Sequence, residues 1–114
     1  MALSIVFGGE MIRYNPSSGR IEFSRNNGRT WSIRYSGNTI GDVRCLISYG
    51  TELLVCSDKG VLYSTNRGIT WGLRSVSHKD FTEMVDAGSE IVATSQDGHI
   101  WYSTNKGLTW GRRR

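Results

Sequence analysis

The chain of 114 residues carries fourteen Lys or Arg against ten Asp or Glu, a net charge of +4, with 38% hydrophobic and 11% aromatic residues. This length is too short for two ordinary domains, and the aromatic content is too high for a disordered chain. No apolar run approaches the roughly 20 residues of a membrane span, and residues 2–7 are too short for a signal-peptide core. We therefore expect a soluble chain, cytoplasmic by default, with no membrane partner.

The basic excess lies at the end of the chain. Arg112, Arg113 and Arg114 account for three of the fourteen basic residues, and without them the net charge falls from +4 to +1. A nucleic-acid-binding surface should appear as a basic patch on the folded face rather than as a tail. Nucleic acid is therefore not an expected partner.

Strand patterns follow one another along the chain, separated by Gly and Asn clusters that suit tight hairpin turns. No stretch shows the apolar period of a helix. The predicted class is all-β, in a single domain spanning 1–114, with three groups of four strands at about 1–35, 42–75 and 80–114. The predicted strands are 3–7, 11–14, 20–24 and 30–35, then 43–49, 52–57, 61–64 and 70–75, then 81–87, 90–95, 99–103 and 109–113.

One pattern, S-x-N-x-G-x-T-W, occurs at the third turn of each group, and its tryptophans are spaced by 40 and then 39 residues. Such a period is typical of folds built from repeated small units. The Asn suits a turn cap, the Gly a positive φ, the Ser a hydrogen bond across the hairpin and the Thr the start of the return strand. The Trp is large enough to lock one hairpin against the next. The motif residues are Ser24, Asn26, Gly28, Thr30, Trp31, Ser64, Asn66, Gly68, Thr70, Trp71, Ser103, Asn105, Gly107, Thr109 and Trp110.

The motif resembles the Asp-box, or bacterial neuraminidase repeat, of β-propeller proteins such as sialidases, propeller lectins, sortilin-type receptors and the photosystem II assembly factor. The resemblance implies three four-stranded propeller blades, with the box in a structural role at the rim, away from the ligand-binding face. The Asp that names the box is Asn26, Asn66 and Asn105 in this chain. Asn caps a turn in the same way, and its lack of charge weakens a cation-binding role.

Three blades are half of a common ring, since propellers usually have about four to eight blades. The expected closure is a homodimer, in which residues 110–114 of one copy abut residues 1–7 of the other in a six-bladed ring. The alternative, that the chain is a piece of a longer propeller, stays open.

Three arginines recur at one position of the repeat, because Arg34, Arg74 and Arg113 each follow a motif Trp by three residues. A ring of such arginines could bind carboxylates, phosphates or acidic sugars. The alternative is a solvated position on the outer strand that protects a sheet edge. Trp101 has no aromatic counterpart in the other repeats, so it suits either sugar stacking or packing between blades.

The remaining reactive side chains do not form a recognisable site. Cys45 and Cys56 flank a turn at equal distances and are expected to face each other, as buried free thiols or as a disulfide. His78 and His99 have no partners at metal-ligand spacing, so no metal or other cofactor is expected.

Sialidase chemistry is implied by the resemblance only where an arginine cluster, an acidic residue and a Tyr–Glu pair are present. Arg13, Arg20, Arg44 and Tyr14 have no spacing that marks a catalytic set, and no catalytic residue is assigned. The predicted function is a non-enzymatic, lectin-like recognition module that binds a glycan or a protein. The alternatives are a sialidase-like glycosidase and a purely structural subunit of a larger assembly.

Overall fold

The computed structural model describes residues 3–37 and 39–113, and these contain twelve β-strands and no helix. Met1, Ala2 and Arg114, which the dimer hypothesis places at the closing contact, lie outside the described residues. The strands are β1 (Ser4–Phe7), β2 (Glu10–Asn15), β3 (Arg20–Ser24), β4 (Ser32–Tyr35), β5 (Val43–Tyr49), β6 (Glu52–Ser57), β7 (Gly60–Ser64), β8 (Gly72–Ser75), β9 (Phe81–Asp86), β10 (Ile91–Ser95), β11 (Ile100–Ser103) and β12 (Gly111–Arg112).

The strands form three antiparallel sheets of four, each connected as a simple meander. Blade 1 is β1 to β4, blade 2 is β5 to β8 and blade 3 is β9 to β12. The blades stack along a body of 41 × 26 × 21 Å. The predicted all-β class, with three four-stranded units, is confirmed. No helix in the described part of the chain is long and apolar enough to cross a membrane.

Each pair of neighbouring blades shares one apolar core. We call the face of a blade that packs on the next blade its forward face, and the opposite face its rear face. Between blades 1 and 2, Ile12, Tyr14 and Ile21 on the forward face pack with residues on the rear face of blade 2. The rear-face residues of this first core are Leu46, Leu53, Val55, Leu62 and Trp71.

A second core of the same construction lies between blades 2 and 3. Leu54, Cys56 and Val61 on the forward face of blade 2 pack with Met84 and Ile91 of blade 3. A first strand takes part in each main contact across these interfaces, since β1 and β2 contact β5, and β5 and β6 contact β9. The first strands therefore form the inner side of the arc, and the motif turns between third and fourth strands lie on the outer side.

The fourth strand of each blade begins two residues later than predicted, at Ser32, Gly72 and Gly111. The Thr and the Trp of the motif belong to the turn rather than to the return strand. In the second copy, the backbone N–H of Thr70 donates to the side chain of Asn66, which closes the turn before the strand pairing starts. The other strand ends differ from the predicted ones by about one residue, which is the usual scatter of strand ends.

The two cysteines lie directly opposite each other on β5 and β6, as the turn between them predicted. Both are fully buried free thiols, with 2.9 Å between the sulfur atoms. The contact with Cys45 and the burial both raise the pKa of the Cys56 thiol well above its usual range. The pair therefore packs as neutral filler between blades 2 and 3.

Gly60 provides a test of the tight hairpin geometry of blade 2. Its φ is +122°, and an added Cβ would overlap the carbonyl oxygen of Ser75. We expect Gly60→Ala to lower the free energy of unfolding by about 3 kcal/mol, because it combines backbone strain with a clash against a strand that cannot move alone. The matched control is Gly50→Ala, which has φ +63° with open space around it and should cost about 1 kcal/mol. Equal losses in urea unfolding would contradict this account of Gly60.

Candidate functional site

Each motif turn is closed by a network of side-chain hydrogen bonds. In the second copy, the side-chain oxygen of Asn66 accepts from the Ser64 hydroxyl at 2.8 Å and from the backbone N–H of Thr70 at 3.0 Å. The Asn66 amide donates to the Thr70 hydroxyl, and the Ser64 oxygen accepts the N–H of Gly68. The indole N–H of Trp71 donates to the carbonyl of Gly68. The first and third copies repeat these contacts, so the Ser bonds within the turn rather than across the hairpin.

Two consecutive residues in each motif turn have positive φ. Gly68 has φ 91°, and Arg67 before it has φ 65°. Asn27 and Lys106 have the same conformation as Arg67, with φ of 63° and 66°. A side chain resists this region, so the hydrogen-bond network holds the backbone there. The three turns therefore present the carbonyl before the Gly in one common geometry.

An arginine near the motif turn ties blade 1 to blade 2, and another ties blade 2 to blade 3. Arg74 of blade 2 makes two hydrogen bonds to the Glu52 carboxylate, at 2.7 and 3.1 Å, and stacks on the Tyr63 ring with its guanidinium carbon 3.8 Å from the ring centre. The same guanidinium donates at 3.1 Å to the carbonyl of Lys106, in the motif turn of blade 3. We call this arrangement of Arg, Glu and aromatic ring a joint. In the joint, the guanidinium binds both carboxylate oxygens through two parallel hydrogen bonds, which is the strong, bidentate form of an Arg–carboxylate pair.

The first joint repeats this arrangement between blades 1 and 2. Arg34 binds Glu10 at 2.6 and 3.0 Å, stacks on Phe23, and donates at 3.3 Å to the carbonyl of Arg67. Arg25 adds another hydrogen bond to the same carboxylate. The hydrogen bond from Arg34, followed by that from Arg25, outweighs the effect of burial and lowers the pKa of Glu10 to about 2.

The third joint is complete within blade 3, and no blade follows it within the described residues 3–37 and 39–113. Arg113 binds Glu90 at 2.6 and 3.1 Å and stacks on Tyr102. The Arg113 side chain is 47% exposed, against 8% for Arg34 and 14% for Arg74. Its guanidinium lowers the pKa of the Glu90 carboxyl, as at the other joints. The three recurrent arginines are thus held by carboxylates, and the difference between them is the missing neighbour.

The glycine of each motif is the point where a turn meets the preceding blade. A Cβ added at Gly68 would lie 3.4 Å from Ile21, and one added at Gly107 would lie 3.4 Å from Val61. Ile21 and Val61 are fully buried, whereas Ile100 at the same position of blade 3 is only half-buried. The forward face of blade 3 therefore lacks the turn that covers the other two.

The rear face of blade 1 is the other uncovered face, and it is more polar than its counterparts. Arg13 and Glu22 form an ion pair at 2.8 Å, and Arg13 stacks on Trp31. The same two positions carry Val55 and Leu62 in blade 2, both fully buried. Exposed Val6 (72%) lies on the inner strand of this face, and exposed Val85 (53%) lies on the inner strand of the forward face of blade 3.

Trp101 lies beside the second core, in a cluster of aromatic rings. Its ring centre lies 4.8 Å from that of His78 and 6.2 Å from that of Phe81, and its indole N–H donates to Ser95. This placement fits the packing interpretation of Trp101 rather than a sugar platform. Burial lowers the pKa of His78 despite the opposing charge of Asp80.

The residues considered for sialidase chemistry do not converge. Arg13 is paired with Glu22 on the rear face of blade 1, while Arg44 donates to the carbonyls of Lys79 and Phe81. The Tyr14 hydroxyl donates to the carbonyl of Gly41. Among the described residues, no three His, Cys, Asp or Glu side chains are grouped as metal ligands would be.

Two solved structures share this arrangement of blades. One is an ancestral GH74 enzyme, with a TM-score of 0.72 and 16% identity over 97% of this chain and 18% of that one. The other is YCF48 bound to D1 peptide, with the same TM-score and identity over 97% of this chain and 40% of that one. The chain has a β-propeller fold.

The chain resembles these two structures in fold alone, because a sequence identity of 16% does not support the assignment of a shared function. No protein-family model and no curated protein sequence matches the chain. The chain spans less than half the length of each structural neighbour. The three Asn-containing turns supply the Asp-box-like repeats that the motif predicted.

The motif turn can be tested with one position and two replacements. We expect Asn66→Asp to change the free energy of unfolding by less than about 0.5 kcal/mol, because its carboxylate accepts the same two hydrogen bonds and the Thr70 hydroxyl turns to donate. Asn66→Ala removes all three bonds and should cost about 2 kcal/mol. Thermal and urea unfolding at neutral pH measure both. An Asp variant as unstable as the Ala variant would contradict this turn chemistry.

The first joint predicts an acid-sensitive contribution to stability. Glu10 is nearly buried and its pKa is lowered from 4.5 to about 2, so its charge stabilises the fold fully above pH 4.5 and loses this effect as the pH falls toward 2. We expect Glu10→Gln to cost about 2 kcal/mol at pH 7, with a difference from wild type that shrinks below pH 4.5.

The control for Glu10 is Glu22→Gln, which removes an ion pair to the partly exposed Arg13. Its loss in stability should be less than half as large. Urea unfolding from about pH 2.5 to about pH 7 measures both variants, because proton binding to Glu10 changes its contribution to stability within that range. A pH-independent difference for Glu10→Gln would contradict the lowered pKa.

Proposed function

We propose that this chain is a non-enzymatic interaction module that acts as a six-bladed propeller ring of two copies and binds a protein or a glycan. The observation that supports the ring most directly is the third joint. Arg113, Glu90 and Tyr102 have the arrangement that clamps a following blade elsewhere in the chain. In the part of the chain that the structure describes, no blade follows them, and Arg113 is correspondingly exposed.

A second copy supplies what the third joint lacks. The turn of blade 1 holds Asn27 at φ 63°, the conformation in which Arg67 and Lys106 present their carbonyls to the first and second joints. Stacking blade 1 of the partner on blade 3 would bring the carbonyl of Asn27 to the guanidinium of Arg113. The same movement would place Gly28 of the partner over Ile100. A two-fold axis makes both closing contacts identical, which gives six blades.

The two uncovered faces are alike in their exposed valines, but the rear face of blade 1 is partly polar. Val6 and Val85 are the most exposed aliphatic side chains of their faces, and both lie on inner strands, where neighbouring blades touch within the chain. The Arg13–Glu22 pair replaces part of the apolar surface of the other interfaces. The closing interface should therefore be weaker than the interfaces within the chain, and dimerisation should depend on protein concentration.

The polar side chains considered for catalysis are already hydrogen-bonded to other groups of the chain, which favours a binding role over a catalytic one. The Arg of each joint is held by a carboxylate, and Arg44 and Tyr14 by backbone carbonyls, so these groups position blades. A propeller can bind a peptide, as the structure of YCF48 bound to D1 peptide illustrates. A glycan remains the second ligand class of the proposal, on the resemblance to propeller lectins.

The proposed ring predicts the solution mass of the wild type, and it predicts that one substitution converts the dimer to a monomer. Wild type should have twice the 12.8 kDa chain mass by light scattering. Ile100→Asp places a charge on the forward face of blade 3 and should give a folded monomer with an unchanged circular dichroism spectrum. The matched control is Ile69→Asp, which changes an exposed aliphatic residue in the motif turn of blade 2, away from both closing faces, and should leave the dimer intact. A wild-type monomer at every concentration would contradict the ring.

The binding role predicts retention of a ligand without turnover. We expect the wild-type dimer to bind members of a glycan array or a peptide array, and the Ile100→Asp monomer to lose that binding. Fluorogenic sialosides incubated with the dimer should release no fluorophore above the level of heat-denatured protein. Hydrolysis above that level would contradict the non-enzymatic role, and binding to neither array would favour a purely structural subunit.

A further inference from the structure

The charged side chains of the turns divide between the two ends of the strands. The motif turns 25–31, 65–71 and 104–110 contain four basic residues and no acidic one, namely Arg25, Arg29, Arg67 and Lys106. At the other end of the strands, the described turns and connectors carry four aspartates and two lysines, namely Asp42, Asp58, Asp80, Asp97, Lys59 and Lys79. The motif turns are therefore positive, whereas the loops at the opposite end are slightly negative.

The carboxylate nearest to the motif turn of blade 3 does not cancel its charge. Glu52 binds Arg74 through both of its oxygens. The hydrogen bond from Arg74, followed by the more distant charge of Lys106, outweighs burial and lowers the pKa of the Glu52 carboxyl. Among the described residues, Arg67 and Lys106 form no ion pair, and both are exposed. Their charges are therefore available to a partner.

Each of these two cations has an exposed aliphatic neighbour. Ile69 follows Arg67 across the motif Gly, as Leu108 follows Lys106, and the two aliphatic residues are 53% and 56% exposed. The backbone has the same conformation at both cations, with φ of 65° and 66°. We call Arg67, Ile69, Lys106 and Leu108 the turn surface. It presents one cation and one aliphatic side chain twice, at the spacing of the repeat.

A groove lies beside the second of these pairs. It has a volume of about 420 Å³, and its walls include Lys106 and Leu108 of blade 3 and Tyr63 of blade 2. Glu52 and Arg74 also line it, but they are bound to each other. An apolar side chain that enters the groove would therefore meet aliphatic and aromatic atoms with an uncompensated ammonium group beside them.

Resting on the protein-binding role proposed above and deepening it, we infer that the turn surface docks an acidic segment of a partner protein in which aliphatic residues are interspersed. Its carboxylates would pair with Arg67 and Lys106. Its aliphatic side chains would contact Ile69 and Leu108, and one of them would enter the groove. Charge attracts such a segment, and the aliphatic contacts distinguish it from other acidic chains.

The shape and chemistry of the turn surface favour a protein segment over other polyanions. A single-stranded nucleic acid is held by aromatic rings on which its bases stack, whereas the exposed apolar side chains of these turns are aliphatic. An anionic bilayer attracts a cluster of cations without any need for a groove. The groove beside Lys106 instead suits a single side chain of a peptide.

The two-copy ring would double the turn surface. A two-fold axis along the ring keeps the motif turns of both copies on one side of it. A segment with several acidic and aliphatic residues, or two linked segments, would then contact both copies. The Ile100→Asp monomer carries half of the surface and should bind the same peptide at least about tenfold more weakly.

Fluorescence anisotropy with labelled peptides tests the chemistry of the partner. The probe consists of Glu-Ser-Leu-Ser repeats, in which Glu and Leu lie on one side of an extended chain. We expect the wild-type dimer to bind the probe, and to bind a counterpart with Ser in place of Leu at least about tenfold more weakly. A counterpart with Lys in place of Glu should not bind. Sodium chloride should weaken the binding of the probe because it screens the charges.

Two double variants remove the same charge from opposite ends of the strands. Arg67→Asn with Lys106→Asn gives both turns the residue that blade 1 has at this position, Asn27 with φ 63°, so the fold is retained. Four cations are then lost from the ring, and the affinity for the probe should fall at least about tenfold. The matched control, Lys59→Asn with Lys79→Asn, changes exposed residues at the opposite end and should keep the wild-type affinity.

The outcomes separate the turn surface from the proposed function. A dimer that binds members of the glycan array but not the probe overturns the turn surface and leaves the binding role standing. Equal losses in the two double variants also overturn it, because net charge alone would then act. Binding of phosphatidylserine vesicles or of an oligothymidylate, without binding of the probe, overturns it in favour of that partner. A wild-type monomer that binds the probe with the expected variant pattern overturns the ring and leaves the turn surface standing.

Discussion

The structure depends on one constraint, that a single four-stranded blade has two faces and no interior. A sheet of this size cannot bury its apolar side chains by itself, so both apolar cores of the chain lie between blades rather than within one. Leu46, Leu53 and Val55 are fully buried only because blade 1 lies against them. Stability is therefore a property of neighbouring pairs, and an end blade keeps one face without that contribution.

The joints add orientation to this apolar packing. Apolar contacts between flat faces allow one sheet to slide or rotate on another, whereas Arg74 binds Glu52 in its own blade and a carbonyl in the next through one rigid planar group. Tyr63 below the guanidinium fixes its height above the sheet. The first and second joints thus fix the angle between two blades, and the lowered pKa of Glu10 reflects how the first joint favours the ionised carboxylate.

The sequence predicted the fold well because its determinants are local. Apolar residues at every second position and Gly or Asn in the turns are sufficient to predict the strands. The joints were missed because Glu10 and Arg34 lie 24 residues apart. The Arg follows the motif Ser at a constant ten residues, but the Glu precedes it by 14, 12 and 13, since the intervening hairpin loops differ in length. That varying offset conceals the repeat of Glu10, Glu52 and Glu90.

The open arc of three blades has a topological consequence. A propeller made from one closed chain surrounds its channel permanently, so a polymer enters it only by an end that passes through. The described blades leave the forward face of blade 3 and the rear face of blade 1 uncovered. In the proposed two-copy ring, the arcs would meet on these faces, so they would be able to close around the middle of a long molecule and release it by parting, with no free end required.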